Sequence, residues 1–420
     1  VGRHTPWGRT IAQFAIDEGF GQGNATVIGY PKLTVPGKAA LANGTFAYSY
    51  EYNDSIQIAP SHVYPIVVPA ALAIAERQGS TGADLLTAVV AGVEVHARVG
   101  MGVAPHARVT STVGRGLCSS QVYGAFGGAA TAARLLHLDA EKTAMAMGIA
   151  ADYAGGNFQG MAEGAWTRQW HSGVAAEGGI TAALLAQRGF IGPLKVLEGE
   201  QSIYKSLVLE HDTSLITQGL GKSYQINDIW IKRFPVNMGW MGGIEAVLDL
   251  RKEHNINPDQ VEKLYCDHFL ITPLHAGRDF HNIALAQFNP AFCLAVAMVK
   301  GRCTIDDFTD EGLKDPKVGA FATDRVEARF DEEMTRLGYE KATRPVRIRV
   351  KMKDGKEYSK EVIFTRGHPR NPMNAAELKE KFDTLATRTI SKEKAKELYE
   401  TIRGLDKARD IKRLSQLLRG

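Results

Sequence analysis

The chain has 420 residues, of which 44% are hydrophobic, 23% charged and 8% aromatic. This ordinary globular mixture suffices for roughly two or three domains and excludes disordered, collagenous and disulfide-stapled classes. The 50 Lys and Arg against 46 Asp and Glu leave a net charge of +4, too close to balance for a dedicated nucleic-acid binder but compatible with a local cationic pocket for an anionic substrate.

Residues 65–77 and 84–99 carry apolar positions at three- and four-residue steps, which predicts two helices. The first stops at Gly79, and the second is entered through Thr81 and Asp84, spaced as a capping box. Further helices are expected over 120–136, over 140–153 after the Asp139 cap, and over 171–188 up to Gly189. Glycine is abundant, with 43 residues, or about a tenth of the chain against ~7% on average, which suits close helix–helix approach.

The pattern changes near Ile226. Residues 261–272 are rich in β-branched and aromatic side chains, and 346–353 and 356–364 flank Asp354-Gly355 as a β-hairpin. Strands are expected only in this stretch, with helices over 239–253 and 283–299 between them. Residues 375–385 and 391–418 return to charged amphipathic helix. The expectation is therefore a mainly α protein, with a large all-helical domain (1–225) interrupted by a smaller α+β lid domain (226–367). The C-terminal helices (368–420) are expected to pack back on the helical domain.

No apolar stretch reads as a membrane span: 122–136 contains Arg134, and 283–299 is interrupted by Gln287, Asn289 and Pro290. The opening Val1-Gly2-Arg3-His4 lacks an initiator Met and a signal-peptide pattern. Cys118, Cys266, Cys293 and Cys303 form no CxxC pair, which speaks against a redox motif or a zinc site and for a reducing, cytoplasmic setting. Gly19, Gly21 and Gly23 mimic a dinucleotide loop but lack a βαβ unit. HExxH, Walker A and GxSxG motifs are absent.

Four places can carry chemistry. Glu51 and Asp54 follow a cluster of aromatic residues, with His62 eight positions after Asp54; a carboxylate and an imidazole can divide acid and base roles if their environments separate their pKa values. The bland alternative makes the carboxylates solvated or capping groups. Arg168 and His171, each beside a tryptophan, stand at a helix entrance, where orphan N–H groups and a guanidinium fork favour an anion. A structural ion pair and a core histidine are the alternative. Lys232-Arg233 is a third cationic point, or an exposed charge pair. Arg115 and Cys118 lie in a Gly-rich loop opening a helix, whose N-terminus would lower the pKa of a nucleophilic thiol; a small buried Cys is the alternative.

Several stretches stand in an order that resembles the MmgE/PrpD family across nearly the whole chain. They are 42–45 with 51–54, 67–73 with 92–94, 122–124 with 132–136, 167–173 with 183–190, 231–235, and 286–288. That family includes 2-methylcitrate dehydratase, cis-aconitate decarboxylase and iminodisuccinate epimerase. The resemblance implies a homodimer with its site between the two domains, no metal or organic cofactor, and proton abstraction beside a carboxylate. His62 and Lys232 keep the family's residue types at active-site positions. Glu51 replaces the usual Asp, Cys118 a common His, Arg168 a common Lys and Phe292 a common Tyr; Arg stays protonated at any working pH.

The resulting expectation is a cofactor-independent lyase of a small di- or tricarboxylate, dehydratase-like, with epimerisation, decarboxylation or a catalytically reduced carboxylate binder as alternatives. Its catalytic candidates are His62, Glu51, Asp54, Cys118 and Lys232. Its substrate-binding candidates are Arg168, His171, Lys232 and Arg115. No metal, nucleic acid or membrane partner is expected.

Overall fold

Prolines set where the first helices begin, because a fixed φ suits the first turn and the missing N–H costs nothing there. Pro6 opens Pro6–Asp17, where Thr5 Oγ1 accepts from Gly8 N at 3.0 Å. Pro36 opens Pro36–Ala47, and Pro65 lies in the first turn of Tyr64–Gln78. The computed structural model describes residues 1–19, 22–103, 112–269 and 280–420; residues 270–272 of the expected strand and Gly21 lie outside them.

Helix Gly82–Met101 starts at the predicted cap, Thr81 Oγ1 accepting from Asp84 N at 3.1 Å. Ser119–Leu135, Ala140–Ala150 and Thr167–Gln187 follow. Small residues let these helices touch: a β-carbon on Gly179 would collide with the Gly128 backbone, and one on Gly44 would lie 2.9 Å from Gly173 Cα. One apolar cluster joins Ile66, Ile74, Leu85, Ala125, Ala176 and Ile180 to Leu398, Leu405, Leu414 and Leu417 of the C-terminal segment.

A second cluster runs from Trp230 to Val362. It lies against a four-stranded sheet of order β6-β5-β7-β8, with β5 Val261–His268, β6 Val326–Phe330, β7 Val346–Met352 and β8 Glu357–Val362. β5 and β6 are parallel, and the other neighbours are antiparallel. In β7 alternate residues are buried, the pattern of a sheet with one covered face. The predicted hairpin is β7–β8, with Gly355 at φ 86° in its turn.

Three expectations need correction. Strands are not confined to the second half: β1 Ala25–Thr26 pairs with β2 Leu33–Thr34, and β3 Asp54–Ile56 pairs with β4 Ile229–Ile231. At two or three residues they are too short to leave an alternating signal. Residues 283–299 form two helices, Ile283–Phe288 and Pro290–Lys300, because the buried Asn289 takes an extended backbone conformation and caps the second by accepting from Phe292 N at 2.9 Å. The last amphipathic stretch breaks at Gly404 into Lys392–Arg403 and Lys412–Leu418. Among the described residues no helix is long and apolar enough to cross a membrane.

Candidate active site

β3 and β4 bring the segments of Glu51 and Lys232 side by side, Asp54 facing Ile231. Just before β3, Glu51 adopts φ 51°, a left-handed conformation that costs a non-glycine residue energy and that functional sites tend to hold. Its carboxylate is buried and bridges two buried cations. Oε1 pairs with Arg168 Nη1, and Oε2 accepts from Lys232 Nζ at 2.9 Å. Lys232 also donates to Asn53 Oδ1 at 3.3 Å. Lys232 is fully buried while its neighbour Arg233 is exposed, so the exposed-pair alternative fails for the lysine.

Burial pushes the Glu51 carboxyl up, but Arg168, Lys232 and His62 outweigh it and hold the group down at about 2. Burial likewise lowers the Lys232 ammonium, against the pull of Glu51. With two cations and one carboxylate, the triad keeps a formal charge of +1. Arg168 lies in the first turn of Thr167–Gln187, which starts four residues earlier than predicted. Its guanidinium lies over two rings, 4.8 Å from the centre of Tyr48 and 4.9 Å from that of Phe288.

His62 lies close enough for the charges of Lys232, Glu51 and Arg168 to act on it. Its Nδ1 lies 2.5 Å from the Asp54 carbonyl oxygen, which assigns the proton to Nδ1 and leaves Nε2 with the lone pair. Its backbone N–H donates to Ser120 Oγ at 2.9 Å, and its ring meets Tyr48 edge-on at 5.2 Å. Burial, then the Lys232 charge, push the imidazole down to about 3, so it is neutral.

The Asp54 carboxylate is fully engaged: it accepts from Val63 N at 2.8 Å and Tyr64 N at 3.0 Å, at the start of Tyr64–Gln78. Burial raises it to about 6 despite these bonds. The capping alternative thus holds for Asp54 and fails for Glu51.

Cys118 sits at the N-cap of Ser119–Leu135. The expectation of a lowered thiol pKa is corrected: burial raises it and outweighs the backbone donors and Arg168, so the group is a neutral thiol. Arg115 is exposed on the preceding loop, apart from the buried triad. His171 is buried, pushed down to about 4 by burial and then by Arg168, and its Nδ1 has no partner among the described residues. Phe292 lies in the second cluster between Phe280 and Phe308, 5.0 and 5.9 Å away.

Sequence reasoning missed Tyr48, Asn53, Ser120 and Phe288. Tyr48 and Asn53 stood inside the aromatic-acidic segment, and Phe288 inside a family-like stretch. Gln287, beside Phe288, donates to Tyr50 O at 3.0 Å and Pro235 O at 2.9 Å, tying that helix to the site. Among the described residues no group of three His, Cys, Asp or Glu could hold a metal ion.

A sequence model of the MmgE/PrpD N-terminal domain matches residues 1–215, and one of the MmgE/PrpD C-terminal domain matches residues 234–407. The chain belongs to the MmgE/PrpD family. Over its whole length this MmgE/PrpD chain is 28% identical to cis-aconitate decarboxylase-like protein oryM of Aspergillus oryzae, covering 90% of that protein. It is 27% identical to cis-aconitate decarboxylase of Aspergillus terreus, covering 88%. Over 94% of its length it is 26% identical to the Homo sapiens cis-aconitate decarboxylase, covering 82%. Membership accounts for the fold, whereas the reaction depends on the side chains of the site.

Proposed function

We propose that this chain is a lyase-type enzyme that acts on a small di- or tricarboxylate by moving a proton at a carbon beside a carboxylate, with His62 as the proton carrier. The observation that carries the reading is the neutral His62: its Nδ1 is tied to the Asp54 carbonyl and Nε2 is the basic nitrogen. It stands beside a triad with surplus positive charge. Abstraction of the proton develops enediolate charge on the substrate carboxylate, and fixed cations in a dry site stabilise such charge strongly.

Glu51 already neutralises part of Arg168 and Lys232, so the substrate competes with it for them. Arg168 Nε and Asn53 Nδ2 are buried without hydrogen-bond partners among the described residues, and they are donors for an arriving oxygen. A bound dianion would also raise His62 toward a useful working range. Asp54 acts through position, and Cys118 can donate a proton but is a poor base.

A neutral base favours abstraction first, and hence dehydration. The second reading, loss of CO2, is favoured by the names of the relatives matched over nearly the full chain. A homodimer and a cytoplasmic setting belong to the same reading; the four cysteines are free, and sedimentation would measure the assembly. The experiment is proton NMR in D2O with citrate, 2-methylcitrate, cis-aconitate, malate and aspartate-like acids, with carboxyl-13C substrates to detect CO2. Vinyl signals without CO2 mean dehydration, CO2 means decarboxylation, and deuterium uptake without net product means epimerisation. If acids bind but none is labelled or converted, the enzyme reading falls and a carboxylate binder stands.

A further inference from the structure

The β3–β4 ladder stops at Asp54 and Ile231, one residue short of the pair that matters, Asn53 opposite Lys232. Beyond that end a side chain from the C-terminal segment takes over. Lys381, on helix Ala375–Ala386, donates from Nζ to Lys232 O at 2.7 Å and to Tyr52 O at 3.2 Å. The same ammonium stands 4.5 Å from the centre of the Tyr52 ring, and the Tyr52 hydroxyl donates to Arg233 O at 2.7 Å.

We propose that Lys381 is a positioning residue that clamps the Tyr52 and Lys232 backbones together and thereby fixes where the Glu51 carboxylate meets the Lys232 ammonium. Tyr52 lies between Glu51 and Asn53, the two residues bonded to Lys232 Nζ, so one donor group sets the separation of the segments bearing both partners. These bonds stand where the next rungs of the ladder would be. The helix that carries Lys381 is itself held: Arg366 Nε donates to both Glu377 oxygens at 2.9 and 3.0 Å. Burial and then the Lys232 charge push Lys381 down to about 7, and the neutral amine still offers two N–H donors for the two carbonyls.

The kinetic part of the inference rests on the catalytic reading of the site, so the test includes a readout that needs no turnover. In [15N]lysine-labelled full chain, the Lys232 ammonium resonance is assigned by its loss in Lys232→Met. In Lys381→Met that resonance should shift or broaden. With a turned-over acid, kcat should fall roughly tenfold or more while KM stays within about twofold, because misplacement of groups acting in the transition state lowers kcat. Lys381→Arg, which keeps the donors, should recover part of the rate.

An unmoved Lys232 resonance overturns the proposal, even if the variant melts lower, since that is a purely structural role. Unchanged kcat and KM in an active preparation overturn it too. If no acid is turned over but the resonance moves, the clamp stands and the catalytic reading falls. Should Lys381→Met not fold, Lys381→Gln, whose amide group ends one bond short of the position from which Nζ donates to both carbonyls, carries the same readings.

Discussion

Glu51 and Lys232, 181 residues apart in the chain, meet at 2.9 Å with both side chains buried. The Glu51 carboxylate is what lets two cations, Arg168 and Lys232, share a site closed to water. Breaking a buried pair leaves an uncompensated charge and typically costs about 3–5 kcal/mol. Glu51→Gln should therefore lower the unfolding free energy by about 3 kcal/mol in urea titration, and Glu51→Gln combined with Lys232→Met should regain part of the loss. Additive losses in that double-mutant cycle would mean that the pair is not coupled.

Replacement of His62, the proposed proton carrier, separates chemistry from binding. His62→Gln should reduce turnover by roughly 10²–10⁴-fold, the usual range for a general acid–base group, with the affinity for a substrate acid little changed. Parallel titration of binding by calorimetry and of rate by NMR checks this. A variant that retains more than about a tenth of the rate would remove His62 from the role.

Asp54→Asn should act at one remove. The amide keeps one acceptor for the N–H groups of Val63 and Tyr64 but turns a donor toward the other, so the Tyr64–Gln78 helix starts less well by about 1–2 kcal/mol. Turnover should fall with stability, and a rate loss as deep as that of His62→Gln in a stably folded Asp54→Asn would instead assign Asp54 a proton-transfer role.

Acid should destabilise the fold early. Burial leads the causes that push four imidazoles down, His62 and His96 to about 3, His171 and His368 to about 4. Unfolded, each would bind a proton below about 6.5, so between its depressed value and 6.5 unfolding takes up a proton and stability falls as the pH drops. Asp54 runs the other way. Raised to about 6, it contributes stability that is full below about 3.8 and is lost as pH rises through about 6, offsetting one imidazole. Near pH 5 unfolding should take up about three protons, a slope of about 4 kcal/mol per pH unit. His96→Gln should remove about one of them; an uptake below one in the parent chain, from unfolding free energies measured against pH, would contradict the buried neutral imidazoles.

The Cys118 thiol, raised by burial, should resist alkylation in the folded chain at pH 8 and react once urea unfolds it. Rapid labelling of Cys118 in the native state, read by peptide mass spectrometry, would show a thiolate and return it to consideration as a base.

Much of this architecture was legible because it rests on local rules. The Thr81 and Asp139 caps, Gly79 at a left-handed helix end and the Asp354-Gly355 turn each leave their mark within a few residues of the chain. The segments that the fold brings together around Glu51 were legible too, since Glu51, His62, Arg168 and Lys232 are unusual residues in distinctive surroundings. What sequence could not convey is that Glu51 lies between the two cations. That arrangement depends on a three-residue ladder between segments far apart in the chain, and so short a ladder has no periodicity to read. The sign of the Cys118 shift was hidden for a related reason, because the helix terminus is a local feature whereas burial is a property of the assembled fold.

The pairing of β3 with β4 also bears on how the protein is made. Glu51, His62, Cys118 and Arg168 all leave the ribosome before Lys232, and synthesis at roughly 5–20 residues per second separates Arg168 from Lys232 by several seconds. During that interval Glu51 has only the guanidinium to answer its charge, and the nascent helical part carries an open strand edge where β4 will later dock. Arrival of β4 closes the edge and completes the ion triad in one event, so a chain stalled before that point would be born without a site.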